Sequence, residues 1–139
     1  MDTFEVKLKG YTSISEDELK LQKMKYIVTG AVSCADAENN ALMEVANLLR
    51  DAEALSVQKK TITDIINRTH DRLWYVKVQH IVIDDLTAKE HKISNMYLVG
   101  ADSAKEASNV IMHELSGMDC EVVKISDSKV DVVISSLMK

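Results

Sequence analysis

Phe4-Glu5-Val6-Lys7-Leu8 returns seventy residues later as Trp74-Tyr75-Val76-Lys77-Val78. Tyr26-Ile27-Val28 returns as Tyr97-Leu98-Val99, and Ser33-Cys34-Ala35-Asp36-Ala37 as Ser103-Ala104-Lys105-Glu106-Ala107. Glu53 through Ile66 then runs parallel to Glu121 through Ile134. The order is kept and the offset drifts by only one or two residues, the signature of an internal duplication. What is duplicated decides the fold.

The apolar period assigns the elements. Residues 3–11 alternate, with Phe4, Val6 and Leu8 on one face and Glu5, Lys7 and Lys9 on the other, as a half-buried strand does. Residues 13–18 read as a polar turn, and 22–32 as a second strand with Lys23 and Lys25 facing away from Met24, Tyr26 and Val28. Ser33 fits a helix N-cap, and Asp36 completes a capping box. Ala37, Ala41, Val45 and Leu48 follow at helical spacing, and the helix is expected to end near Asp51. Residues 54–58 read as a third strand and 61–66 as a short closing piece.

The second copy repeats the plan. It has strands at 73–83 and 92–100, a capping box at Ser103 and Glu106, and a stripe of Ala107, Val110, Ile111 and Leu115. Gly117 fits the helix stop, and strands follow at 121–126 and 129–135. The fold class is therefore α+β: a tandem β-β-α-β repeat with pseudo-twofold symmetry and antiparallel-rich sheets, each covered by one helix. The repeats span 1–67 and 73–139, joined by the polar link 67–72. Units of this size are marginal alone, so the two are expected to form one compact unit.

Trp74-Tyr75-Val76-Lys77, Tyr97-Leu98-Val99 and Ser103-Ala104-Lys105-Glu106-Ala107, with their weaker first-half copies, resemble an uncharacterised domain-of-unknown-function family. Glu53 to Lys60 and Ile62 to Ile66 resemble its strand and closing segment, so the likeness covers nearly the whole chain. Its members occur in Bacteroidota bacteria and their phages, including crAss-like phages. The resemblance implies a small accessory protein, often phage-borne, and carries no catalytic residues to transfer. The chain departs from the pattern in a longer first hairpin turn around Glu16–Leu21.

Composition narrows the function. The 139 residues are 46% hydrophobic and 28% charged, the balance of a globular protein. Seventeen basic against 22 acidic residues give a net charge of −5, which argues against a strongly cationic nucleic-acid binder but leaves a local basic face open. No apolar run approaches the roughly 20 residues that span a bilayer. The N-terminus lacks the regions of a signal peptide, so a cytoplasmic address in a bacterial host cell, with no membrane partner, is expected. With no proline and four glycines there is no phosphate loop.

Chemistry-bearing patterns are sparse. Cys34 and Cys120 lie far apart and read as free thiols. His70, His80, His91 and His113 show no metal-ligand spacing. His80 falls on the inward face of its strand and His91 in a hairpin turn. Asp84-Asp85 reads as a pair of solvated turn acids. No catalytic residue, metal or cofactor is assigned, and the protein is expected not to be an enzyme.

The strand faces say more. Lys7, Lys9, Lys23 and Lys25, with Tyr11 and, by the same parity, Lys60, stand opposite the core of the first repeat, while Glu38, Glu44, Asp51 and Glu53 are assigned to its helix layer. Of six aromatics, Phe4, Tyr26, Trp74 and Tyr97 point inward, which leaves Tyr11 and Tyr75 for stacking. Lysines beside an aromatic platform are how open sheets hold single strands. In the second repeat, Tyr75 and Lys77 share that face with Ile81, Ile83, Met96, Leu98 and Val122. That apolar set suggests an oligomer interface, most simply of a homodimer.

Three functions fit these observations: a non-catalytic nucleic-acid-binding accessory using the basic sheet face, an oligomer that sequesters an anionic nucleotide-type ligand, and a protein–protein adaptor. The first is preferred.

Overall fold

A computed structural model describes residues 2–136; the last three positions of the second repeat, 137–139, lie outside the described residues. Among the described residues there are two helices and eight strands in two mixed four-stranded sheets. The chain forms two compact units, one of residues up to Thr61 together with the segment from Val130 onward, the other of Ile62–Lys129. These units divide the chain differently from the repeats, and the link 67–72 falls inside the second unit.

In the first unit, β1 (Thr3–Ser15) and β2 (Glu18–Thr29) form a long antiparallel hairpin. Helix α1 (Cys34–Val45) follows, and β3 (Arg50–Lys60) returns antiparallel to β1. Phe4, Val6, Leu8, Tyr26 and Val28 form a buried cluster with Ala37, Ala41 and Val45 of the helix. Full burial of each large side chain contributes about 1.5–3 kcal/mol, and the alternating strands deliver them all to one face. The second unit repeats the arrangement with β5 (Leu73–Ile83), β6 (Glu90–Gly100), α2 (Ala104–Glu114) and β7 (Cys120–Asp127). There Trp74, Val76, Val78, Tyr97 and Val99 pack with Ala107 and Ile111.

Each sheet gains its fourth strand from the other repeat. The first repeat's closing strand, β4 (Asp64–Ile66), pairs parallel with β6. The second's, β8 (Val132–Ser135), pairs parallel with β2. The sheet orders are therefore β3-β1-β2-β8 and β4-β6-β5-β7. Ile66 packs against the α2 core and Ile134 against the α1 core. The Thr63 N–H donates to the Met96 carbonyl at 2.7 Å, and the Asp131 N–H to the Lys25 carbonyl at 2.8 Å.

The duplication reaches fine detail. Ser33 and Ser103 hydroxyls accept from the Asp36 and Glu106 N–H groups, both at 3.1 Å. The reciprocal carboxylates reach one residue further back than the cap itself, accepting from Val32 and Asp102 N–H. Both antiparallel returns carry a β-bulge at the same place: β3 shifts register between Ser56 and Ala54, and β7 between Lys124 and Val122. Leu55 and Val123 are the extra residues.

Some boundaries differ from the expectation. Helix α1 stops at Val45 rather than near Asp51: the Leu48 and Leu49 N–H groups both turn back to the Val45 carbonyl, and β3 is already under way at Arg50. The first hairpin turn is the shorter one, Glu16-Asp17, because Glu18–Leu21 are strand; the longer connection is 84–89 in the second hairpin. Gly117 adopts φ +88°, three residues beyond the end of α2. Among the described residues no helix is long and apolar enough to cross a membrane.

Candidate nucleic-acid interface

The face of the first sheet away from α1 is built by the β1–β2 register. Lys7 stands directly opposite Lys25, Lys9 opposite Lys23, and Tyr11 opposite Leu21. The four lysines therefore form two rungs of a ladder on one face. Lys60 shares that face, since β3 pairs it with Thr3. Like charges directly opposite one another in a sheet are destabilising, and two successive rungs repeat that cost.

Carboxylates answer part of this charge. Glu5, only 4% exposed, lies on the same face with its oxygens 3.7 Å from Lys25 Nζ and 3.9 Å from Lys60 Nζ. A buried carboxylate needs such company. Lys9 Nζ is 2.8 Å from Glu53 Oε1, and the hydrogen bond to Glu53 raises the Lys9 pKa above its ordinary value. Glu53 is thus a β3 residue on the basic face, not part of an acidic helix layer as its sequence position suggested. Asp51 likewise belongs to β3, where it adopts φ +51°. Lys7 and Lys23 are both exposed and have no ion pair among the described residues. Arg50 of β3, exposed and opposite Tyr11, adds a sixth basic residue to the face, while Glu5 and Glu53 answer three of the lysines.

Beyond the lysines the same face turns apolar. Tyr11 (40% exposed), Leu21 (48%) and Leu19 (51%) follow in order toward the hairpin tip, with Ser13 opposite Leu19. Phe4, Tyr26, Trp74 and Tyr97 are buried as their parity predicts. Burial raises the pKa of both Tyr26 and Tyr97.

The second sheet places its candidates differently. Tyr75 is half-buried and Lys77 exposed on its outer face, on a separate sheet from the ladder. Lys77 is opposite Met96 on one side and Lys124 on the other. Ile81 is opposite Lys92 and Ile83 opposite Glu90, so the apolar residues expected there are interleaved with charge. Leu98 is fully buried within the chain. Val122 does not belong to this face: it pairs with the buried Val78 and packs on the α2 core. The bulge at Val123 resets the parity, turning Val122 inward while Lys124 stays outward. Sequence reasoning missed Lys124 although plain alternation from the outward position assumed for Val122 already sets it on this face. Aligning it with Ser56, its counterpart beside the first bulge, would have revealed it.

The remaining polar groups have local explanations. His70 accepts at Nδ1 from the Arg72 N–H (3.1 Å) and holds Asp102 at Nε2 (3.0 Å), so both ring nitrogens are engaged. Asp84 accepts at Oδ1 from the Leu86 and Thr87 N–H groups, which makes it a turn former. His91 lies in β6 rather than in the turn, 3.8 Å from Asp84. His80 points to the core side, opposite Cys120, and its Nε2 is buried without a hydrogen-bond partner among the described residues. Cys34 and Cys120 are free thiols. Among the described residues no three His, Cys, Asp or Glu side chains gather as metal ligands would.

A family model described as a domain of unknown function (DUF4494) matches residues 3–136, and the chain belongs to that family. No curated protein matches it.

Proposed function

We propose that this DUF4494 member is a non-catalytic nucleic-acid-binding protein and that the lysine ladder of the first sheet is its binding surface. The sequence resemblance to Bacteroidota and phage proteins supports a setting as a phage or mobile-element accessory in the bacterial cytoplasm. The single observation that carries the reading is the pair of like-charge rungs, Lys7/Lys25 and Lys9/Lys23, held on one face. A fold gains nothing in stability from placing lysines opposite one another twice in succession. An anionic polymer laid across them would relieve the repulsion and release counterions.

The test is fluorescence anisotropy with a labelled oligonucleotide across a salt series. Affinity should fall steeply with salt, and Lys7→Glu with Lys23→Glu should lower it at least tenfold and flatten the salt slope by about 2. These two lysines are the suitable pair because both are exposed and no ion pair holds them among the described residues. Reversing Lys25 would set a carboxylate against the buried Glu5 and damage the fold instead. Unchanged affinity in the double variant would remove the proposal.

A further inference from the structure

We infer that the ligand of this face is a single strand laid along the β1–β2 hairpin, with its phosphates on the lysine rungs and a base stacked on Tyr11 beside Leu21 and Leu19. This rests on the reading of the ladder as a nucleic-acid surface and names the class of nucleic acid. Three features of the face lead to it.

The first is the order of the chemistry. Moving toward the hairpin tip, the face presents Lys7/Lys25, then Lys9/Lys23, then Tyr11/Leu21, then Ser13/Leu19. Successive rungs are about 7 Å apart along the strands. Cations and exposed apolar surface thus lie end to end on one face. An unpaired strand offers both matching partners, an anionic backbone and flat base faces free to stack. A duplex offers its phosphates but keeps its base faces stacked inside, so Tyr11 and the two leucines would stay idle against it.

The second is width. The ladder is two strands wide, about 5 Å between backbones, and suits one row of phosphates. Toward β3 the face next presents Glu53 and Ser56, opposite Lys9 and Lys7, with Arg50 and Lys60 only beyond them, opposite Tyr11 and Thr3. A second phosphate row from a duplex would meet a carboxylate there.

The third is an internal control. The corresponding face of the second sheet reads Lys77/Met96, Gln79/Ser94, Ile81/Lys92 and Ile83/Glu90. Its one like-charge pair, Lys77 with Lys124 of β7, is followed by Gln79 beside Glu121 and not by a second rung, and no aromatic follows it. The arrangement on the first sheet is therefore not a by-product of the shared backbone.

The experiment uses the full chain with a labelled oligo-dT and a mixed-sequence duplex of equal length, both at low salt. The single strand should bind at least tenfold more tightly than the duplex. Tyr11→Ala should weaken single-strand binding about tenfold, while Tyr11→Phe, which keeps the ring, should bind as the parent does. Lys77→Glu should change affinity less than twofold. A duplex bound as tightly as the single strand, or a neutral Tyr11→Ala, overturns the single-strand inference and leaves the basic-face reading standing. Failure to bind either nucleic acid overturns both.

Discussion

At matching positions of the two sheets, Lys7 opposite Lys25 becomes Lys77 opposite Met96, and Lys9 opposite Lys23 becomes Gln79 opposite Ser94. Tyr11 with Leu21 becomes Ile81 with Lys92. Meanwhile the hairpin registers, the capping hydroxyls, the bulges at Leu55 and Val123 and the borrowed fourth strand are the same in both. What the two units share is what their backbones need to close. Their inner faces differ mostly by exchanging one apolar side chain for another, as Phe4 for Trp74, Leu8 for Val78 or Val45 for Leu115, whereas their outward faces differ in charge. A specialised surface on one copy is what such a split would produce.

One difference between the inner faces turns on space. Gly10 lies under Leu49, whose Cβ would be 2.7 Å from a Cβ added at position 10. In the second unit that strand position is His80, whose Nε2 is buried without a hydrogen-bond partner among the described residues.

The largest expected effect probes the borrowed strands. Ile134→Asp should destabilise the first unit by about 3 kcal/mol or more, by placing a carboxylate against the α1 core. Ile66→Asp should do the same to the second unit. Amide exchange read by NMR should show protection lost first at Val6 and Val28 in one variant and at Val76 and Val99 in the other. Loss in the opposite units would break the assignment of the strands. Next in size, Gly10→Ala should cost about 1–3 kcal/mol in urea unfolding, because Leu49 leaves no room for a methyl group. A neutral result would mean that the difference between Gly10 and His80 is not steric. Smallest, Ser33→Ala and Ser103→Ala should each cost about 1 kcal/mol. Their near equality is the point, and a clear difference between them would show that the two caps, alike in geometry, are unlike in energy.

Much of this was legible in the chain because it is local. The alternation of Phe4-Val6-Leu8, the Ser33 and Ser103 caps and the helix stripes each depend on residues within a few positions of one another. The basic face followed from parity alone, since β1 and β2 run regularly from Thr3 to Ser13. Parity failed where a bulge intervened, which misplaced Val122. Glu53 was misread because the four residues after α1 keep an apolar look, Ala46 with Leu48 and Leu49, though the helix has already ended. The strand exchange was invisible for a different reason. Tyr26-Ile27-Val28 and Tyr97-Leu98-Val99 offer closely similar edges, so nothing in Asp64-Ile65-Ile66 or Val132-Val133-Ile134 names one sheet over the other.

The exchange also sets an order of events on the ribosome. Every strand of the second sheet lies within Ile62–Lys129, a continuous stretch that can pack as soon as it has left the exit tunnel. The first sheet, although three of its four strands are translated earlier, keeps the edge of β2 open until Val132–Ser135 arrives. The part of the protein made first is therefore completed last, and the lysine ladder spends translation on a sheet still missing its final strand.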